Sequence, residues 1–428
     1  MKPLYRIEYH FIKTYRVDYT YFNKQDSPVS LWLSLPADSM TQRNIRILQQ
    51  TTPKELNLLP TGNQLAYYEL LPGENVAYSY LFDSYETRLV PFDPNKNKDN
   101  KAEVPELTED ERQFYLRSTP LVPLTDEIRQ EAVRIVGDSK EPIEQARKLF
   151  FHLIQHYKYI YPPKERGASA MRRNQRGDCG EFSFLFAAYC RSLHIPCRTV
   201  FGSWATGRLR AHAWNEFFVE GVGWVPVDAS VQVSMKSQWN KLAFVTGYGA
   251  RNAKHYYFGN LEGKRIVFSL DPNVPLFPPF PEGSQLAATS QEQLLNIGEE
   301  MFAWGFQAQH GTAPYLQPAY TQFTSPVGPG PTTEDYLGSW HVKETGLIQA
   351  LSLKLKYAAF IASMLCWGTY YVLSWTFAKL EWLNLFSTLC YCLFLLVSIV
   401  RKEAYYVMYI LFGLMLLSAL RGLSLFVK

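Results

Sequence analysis

Three residues between positions 177 and 228 have the types and spacing that nucleophilic catalysis requires. Cys179 precedes the apolar run FSFLFAAYC, His212 lies in the block AHAWNE, and Asp228 ends the block GWVPVD. A thiol attacks a carbonyl carbon once a base removes its proton, imidazole is the usual base, and a carboxylate orients the imidazole. The sequence therefore predicts Cys179 as nucleophile, His212 as base and acid, and Asp228 as the orienting carboxylate.

The residues around Cys179 predict the start of a helix. Asp178 is a suitable N-cap, and Glu181, three residues on, completes a capping box before an apolar run with helical period. Cys179 then lies in the first turn, where the positive end of the helix dipole favours thiolate. The sequence predicts a lowered thiol pKa and makes the backbone N–H of Cys179 a candidate oxyanion donor, with a second donor near Gln175.

The residues after His212 predict a β-hairpin. The apolar-rich segment HAWNEFFV leads to a turn at EGVG, and strand residues resume at Trp224. Folding the chain back at this turn brings His212 within a few residues of Asp228. Trp214 and Trp224 are expected to pack the hairpin against a sheet, or to shield the His212 and Asp228 pair from water.

Two segments carry a resemblance to a known family. GDCGEFSFLFAAYCRSLHIPCR and AHAWNEFFVEGVGWVPVDAS resemble the core of the transglutaminase-like superfamily of bacterial cysteine-dependent enzymes, over about residues 119–280. The resemblance implies a papain-like α+β fold and places the family's triad at Cys179, His212 and Asp228. It also implies either peptide or amide hydrolysis, as in a cysteine protease or amidase, or transamidation. A non-catalytic scaffold that keeps the fold is a third possibility.

Composition limits the other functions that the chain could have. Its 428 residues carry a net charge of +4, which gives no reason to expect a nucleic-acid partner. Its six cysteines lack the spacing of a disulfide or metal framework, so no metal or cofactor site is predicted. Cys190 and Cys197 are interpreted as packing residues.

The C-terminal region contains three apolar stretches near the length that a bilayer requires. Residues 357–378, 382–400 and 404–420 have no charged side chain and predict three transmembrane helices. Asn384 could join two of them by a hydrogen bond. The N-terminus lacks the apolar region of a secretory signal, and the cations flanking the spans number five on one side and three on the other. We therefore expect a multi-pass protein of a bacterial inner membrane with a cytoplasmic catalytic domain.

Four regions follow from these patterns. Residues 1–105 alternate in six or seven short strands and predict an antiparallel β-sandwich. Residues 106–282 form the predicted catalytic domain, with helices over 126–136, capped by Thr125, and 141–157. Residues 283–355 are a Pro- and Gly-containing linker with amphipathic helices over 285–310 and about 334–356. Residues 356–428 form the predicted anchor.

A basic loop precedes Cys179 and leaves two interpretations open. Arg166, Arg172, Arg173 and Arg176 could be solvated, or with Arg208 and Arg210 they could line the cleft and attract acidic substrate segments. The function that the sequence favours is a membrane-anchored thiol hydrolase acting on protein or peptide substrates close to the bilayer. Protein-glutamine transamidation through the same acyl-enzyme and a non-catalytic scaffold remain the alternatives.

Overall fold

The structure is a computed structural model in which the described residues fall into two compact units. One unit ends at Lys343 and the other begins at Glu344. The described residues are 4–59, 61–92, 106–161, 163, 165–205, 211–235, 255–279, 295–297, 300–302, 312–313, 319–323, 334–335, 338–374, 380–401, 403–404 and 406–426. The polar segment 92–104, which its lack of periodicity predicts to be a linker, lies almost wholly outside them. The domain boundaries at 105, 282 and 355 stay predictions.

The N-terminal region forms two antiparallel sheets around one apolar core, as predicted. Its six strands are β1 (Tyr5–Phe22), β2 (Val29–Leu35), β3 (Gln42–Gln50), β4 (Glu55–Leu58), β5 (Gln64–Leu70) and β6 (Asn75–Pro91). One sheet contains β6, β1 and β3, and the other contains β2, β5 and β4. Alternate residues of β1, such as Val17, Tyr19 and Tyr21, are buried in the core between the sheets, which is the period-2 pattern of a half-buried strand.

The described part of the central region contains six helices, and the second and third of them lie close to the ranges that the sequence predicts. The helices are α1 (Glu109–Leu116), α2 (Asp126–Val136), α3 (Pro142–His156), α4 (Ala168–Asn174), α5 (Cys179–Ser192) and α6 (Ala229–Ser234). The hydroxyl of Thr125 accepts a hydrogen bond from the N–H of Ile128 and caps α2. An apolar stripe on α3, including Phe150 and Leu153, is buried against α5 and the central sheet.

The central sheet places the residues of interest next to one another. Its strands, β9 (Cys197–Trp204), β10 (Ala211–Val219), β11 (Gly223–Val227) and β13 (Arg265–Leu270), are ordered β11-β10-β9-β13 and are antiparallel. Three short strands complete the region: β7 (Lys158–Tyr159), β8 (Arg176–Gly177) and β12 (Asn260–Leu261). The predicted hairpin is confirmed, with Asn215 opposite Val227.

The N-terminal sheets hold β13 through several buried hydrogen bonds. The side-chain amide of Gln42 donates to the carbonyl of Val267 and accepts from its N–H, both at 3.2 Å. Ser34 and Asn63 both donate to the carbonyl of Phe268, at 2.6 and 3.2 Å. Side chains of the sandwich therefore fix the edge strand of the central sheet, although the two regions lie far apart in sequence.

The region after residue 274 contains strands where helices were predicted. Its described strands are β14 (Val274–Pro275), β15 (Leu295–Ile297), β16 (Glu300–Phe302), β17 (Thr312–Ala313), β18 (Ala319–Phe323) and β19 (Ser339–Glu344). The predicted helix at 285–310 is wrong at β15 and β16, which pair with each other, and its remainder lies outside the described residues. The helix expected from about 334 is wrong at β19, because the edge of β1 pairs with this strand and its alternate residues Trp340 and Val342 are buried.

Three long helices make up most of the described part of the second unit. They are α7 (Leu347–Leu373), α8 (Glu381–Val400) and α9 (Tyr406–Phe426), and all three are long and apolar enough to span a bilayer. One buried hydrogen bond between α7 and α8 comes from Ser387, whose hydroxyl donates to the carbonyl of Ser363 at 2.9 Å. Ser387 lies three residues beyond Asn384, which sequence analysis had favoured for this contact.

Candidate active site

Cys179 is the first residue of α5, and the capping box predicted for this helix is present. The carboxylate of Asp178 accepts a hydrogen bond from the N–H of Gly180 at 2.7 Å, and the carboxylate of Glu181 accepts from the N–H of Asp178 at 3.3 Å. Both acids are buried, whereas Cys179 keeps part of its surface exposed. The helix N-terminus therefore presents a thiol at the edge of a buried pair of carboxyl groups.

The buried carboxyl groups share one cation, Arg166. Its Nη1 lies 2.8 Å from Asp178 and 2.9 Å from Glu181, and its side chain is 9% exposed. One guanidinium thus faces two carboxyl groups in a site of low polarity. Since Arg166 belongs to the basic loop, the sequence did not show that its side chain turns inward and supports the start of α5.

The environment of Cys179 raises the pKa of its thiol, and the prediction of a lowered pKa is therefore wrong. Burial has the largest effect, and the negative charge of Asp178 raises the pKa further. A hydrogen bond from the backbone N–H of Ala213 to the sulfur opposes both but does not outweigh them. The helix dipole alone favours a thiolate, whereas the capping carboxylate that forms the helix start repels it.

Glu181→Gln is expected to make the stability of the protein less dependent on pH. Burial, and after it Asp178, raise the pKa of Glu181 from 4.5 to about 8. An acid with a raised pKa stabilises the fold fully below its unfolded value and loses that contribution as the pH rises through the folded value. The unfolding temperature of the wild type should therefore fall by a few degrees between about pH 5 and pH 8.

The Gln variant should give a flatter curve over this window, measured as the thermal unfolding midpoint of the purified protein. Glu144→Gln, at a half-exposed position on α3 paired with Arg147, is the matched control and should follow the wild type. An unfolding temperature that falls as steeply for Glu181→Gln as for the wild type would contradict the raised pKa.

His212 and Asp228 form a buried hydrogen-bonded pair. Nε2 of His212 lies 2.7 Å from Oδ2 of Asp228, and the two residues are 7% and 1% exposed. Asp228 also caps α6, because its Oδ1 accepts from the N–H of Val231 at 3.0 Å and from the hydroxyl of Ser230 at 2.9 Å. Burial alone would raise the pKa of Asp228, but His212 and Arg265 hold it well below its usual range.

Strand β10 connects the surroundings of the Cys179 thiol with this pair. Ala213, whose N–H contacts the sulfur of Cys179, directly follows His212 in the strand. The structure therefore brings the N-terminus of α5 against the part of β10 that carries the imidazole. A second oxyanion donor near Gln175 stays a prediction; Gln175 ends α4 in a left-handed conformation.

Two tryptophans contact the imidazole of His212, and an arginine contacts its partner Asp228. Trp204 and Trp214 stack on the imidazole, with ring centroids at 5.3 and 5.9 Å and interplanar angles of 20° and 27°. Arg265 donates to the same oxygen of Asp228 that His212 contacts, at 2.7 Å. Trp214 thus shields the imidazole, whereas Trp224 packs against Tyr115 at 5.0 Å. Sequence reasoning missed Trp204 and Arg265 because no local motif marks them.

A glycine opposite His212 allows this packing. Gly202 faces His212 across β9 and β10, and a Cβ there would lie 1.9 Å from the carbonyl oxygen of Ile266 and 2.9 Å from the ring of Trp214. Any side chain at this position would push apart strand β13 and the indole. Glycine is therefore required for close approach, and its backbone needs no unusual conformation.

The basic loop is largely neutralised within the chain. Arg172 contacts Glu131 at 2.7 Å and Arg173 contacts Glu165, while Arg166 is bound to the capping acids. Arg176 is exposed, and Arg208 and Arg210 lie outside the described residues. Three of the four described arginines of the basic loop are thus paired with acids of this protein. This pairing reduces the support for arginines that line the cleft.

Residues 129–229, which include all of α5, β9, β10 and β11, match the family model of the transglutaminase-like superfamily. This part of the chain is a transglutaminase-like core. An uncharacterised protein of Haemophilus influenzae is 23% identical over 201 residues, which is 39% of this chain and 52% of that protein. The chain thus spans about half the length of this curated relative.

Solved structures similar to this chain include two bacterial proteins. A candidate cysteine protease from Cytophaga hutchinsonii is 14% identical, with a TM-score of 0.41, over 79% of this chain and 100% of that one. The periplasmic domain of TgpA from Pseudomonas aeruginosa is 15% identical, with a TM-score of 0.33, over 52% of this chain and 89% of that one. The transglutaminase-like core of this chain contains Cys179, His212 and Asp228.

Proposed function

We propose that this protein is a membrane-anchored, cysteine-dependent hydrolase of peptide or amide bonds. The observation that carries the proposal is the pairing of His212 with Asp228 through Nε2, on the strand whose next residue contacts the Cys179 sulfur. This pairing leaves Nδ1 of His212 as the nitrogen available to the thiol. A nucleophile, a base and an orienting carboxylate at such positions are the parts of a thiol acyl-transfer site.

The proposed reaction begins with transfer of the thiol proton to Nδ1 of His212 as the sulfur attacks the substrate carbonyl. Because burial raises the thiol pKa, this transfer accompanies the attack and no preformed thiolate is needed. Asp228 stabilises the resulting imidazolium, and the backbone N–H of Cys179 at the start of α5 supports the oxyanion. The imidazolium then protonates the leaving amine, which departs and leaves a thioester on Cys179.

Water completes the cycle. Neutral His212 takes a proton from water as its oxygen attacks the thioester, and the imidazolium returns a proton to the departing sulfur. The products are an amine and a new carboxylic acid. An incoming amine in place of water would give transamidation through the same intermediate.

The test of this proposal follows the fate of the acyl group. The full-length protein in detergent is incubated with a peptide mixture in ¹⁸O-labelled water, with and without a fluorescent primary amine, and the products are analysed by mass spectrometry. Hydrolysis predicts new carboxyl groups carrying ¹⁸O and little amine incorporation. Predominant amine incorporation would favour the transamidase, and the absence of both products and of any acyl adduct at Cys179 would favour a scaffold.

We propose further that the catalytic unit faces the cytoplasm and acts on membrane-proximal substrates. The support is the excess of cations on that side of the spans. Two of these cations are buried in ion pairs, Lys356 with Glu403 and Arg401 with Glu344. Labelling of an N-terminal tag in intact cells tests the orientation, and access to the tag from outside would place the unit on the opposite side.

The internal pairing of the basic loop gives little support to a preference for acidic substrates.

A further inference from the structure

Behind the His212 and Asp228 pair lies a second buried ion pair. Nε of Arg265 donates to Oε1 of Glu262 at 2.7 Å, and its Nη2 lies 3.4 Å from Oε2, while Nη1 donates to Asp228. Arg265 is fully buried and Glu262 is 8% exposed. One continuous series of hydrogen bonds therefore connects His212, Asp228, Arg265 and Glu262.

The same two tryptophans enclose the side chains of both Arg265 and His212. The guanidinium carbon of Arg265 lies 4.7 Å from the ring centroid of Trp204 and 4.8 Å from that of Trp214, and both rings also stack on His212. Ring faces attract cations, and the indoles keep water from the hydrogen bonds between them. The side chains of Arg265 and His212 are thus held in fixed positions around the carboxylate of Asp228.

The charges in this cluster balance only when His212 is protonated. Asp228 and Glu262 contribute two negative charges and Arg265 one positive charge, which leaves a single negative charge for an imidazolium to cancel. If Glu262 were absent, Arg265 would neutralise Asp228, and an imidazolium formed during the reaction would have no counter-charge. In a buried site, uncompensated charge is costly.

The other titratable groups that the structure describes beside this cluster, a thiol and two phenols, do not change this balance. The Cys179 thiol approaches from α5, and the phenol of Tyr159 approaches from β7, where burial and then Cys179 raise its pKa. The ring centroid of Tyr257 lies 5.7 Å from the guanidinium carbon of Arg265. Burial, and after it Glu262, raise the pKa of the Tyr257 phenol. Near neutral pH these three groups are uncharged.

We propose that Arg265 and Glu262 are positioning residues for the reaction, an inference that rests on the proposed function of the Cys179 site. Arg265 fixes the oxygen of Asp228 that receives His212. Glu262 cancels the charge of Arg265, so that Asp228 keeps its full negative charge for the imidazolium.

The test compares Glu262→Gln with Glu262→Asp in the full-length protein. Gln keeps an acceptor for Arg265 but removes the negative charge. We therefore expect kcat to fall about 10-fold with KM little changed. The acidic limb of the kcat/KM profile should move to lower pH by about one pH unit. Glu262→Asp keeps the charge and should restore most of the rate and the position of the limb. Glu216→Gln, which breaks the buried pair with Arg198 four residues beyond His212, is the matched control and should leave the limb unmoved.

A second readout does not depend on turnover. The rate at which iodoacetamide alkylates Cys179 is measured against pH by mass spectrometry, because formation of thiolate depends on the charge state of His212. A shifted alkylation profile for Glu262→Gln in a protein without hydrolase activity would support the positioning role and reject the proposed function. An active wild type whose two profiles are both unchanged by Glu262→Gln would overturn the positioning role alone.

A double variant guards against a folding defect. Arg265→Met with Glu262→Met replaces the buried ion pair by apolar side chains of similar length, a change that buried pairs often tolerate. The doubly substituted protein should fold and lose activity because Asp228 is no longer held. Wild-type kcat in this folded variant would overturn the proposal.

Discussion

Cys179→Ala is expected to abolish hydrolysis while the protein remains folded. Without the sulfur no thioester can form, and loss of a catalytic nucleophile reduces kcat by on the order of 10³-fold or more. The substitution removes one atom from a partly exposed position, and the capping bonds of Asp178 and Glu181 to the helix N-terminus involve backbone groups that alanine keeps. The measurement is product formation by the variant and the wild type at matched concentrations of folded protein.

Cys197→Ala is the matched control. Cys197 is completely buried at the start of β9, so its loss should cost about 1 kcal/mol of stability through packing and leave kcat nearly unchanged. Turnover by Cys179→Ala at the wild-type rate would remove the nucleophile from the proposed mechanism, whatever the behaviour of the control.

Asp228→Asn is expected to reduce both activity and stability. The carboxylate of Asp228 accepts four hydrogen bonds, from His212, Arg265, Ser230 and Val231. An amide offers only one oxygen, so it can serve either the helix cap or the His212 and Arg265 side. The imidazolium would also lose its counter-charge, and a fall in kcat of about 10³- to 10⁴-fold follows from the wrong tautomer and the missing charge.

The expected loss of stability is about 3 kcal/mol, because a buried charge network is broken on one side. Asp271→Asn separates the two effects. Asp271 is equally buried and contacts Arg191 at 2.6 Å, so its substitution should lower the unfolding temperature by a similar amount while the folded fraction keeps its activity. Equal kcat values for the two variants would argue against a role of Asp228 in the reaction.

Local patterns were sufficient for the elements that carry the candidate site. The capping box, the position of Cys179 at the start of α5 and the hairpin after His212 depend on residues within a few positions of one another, and the sequence predicts them correctly. Thr125 and α2 were predicted for the same reason. The pairing of His212 with Asp228 followed from the length of the hairpin.

Properties set by distant residues could not be predicted in this way. Arg265 lies 37 residues beyond Asp228 in the chain, and only the order of strands in the central sheet brings the two together. The direction of the Cys179 pKa shift depends on burial, and burial depends on the whole fold. Strand β19 looked helical because the edge of β1 that it completes is more than 300 residues away.

The hydrogen bonds between Gln42 and Val267 tie the N-terminal sandwich to the strand that carries Arg265. Val267 lies two residues beyond Arg265 on β13, so a shift of the first hundred residues would be transmitted to the imidazole through a strand and a carboxylate. A protein trimmed to residues 129–229 should therefore keep Cys179, His212 and Asp228 but lose both strand β13 and the sandwich that holds it.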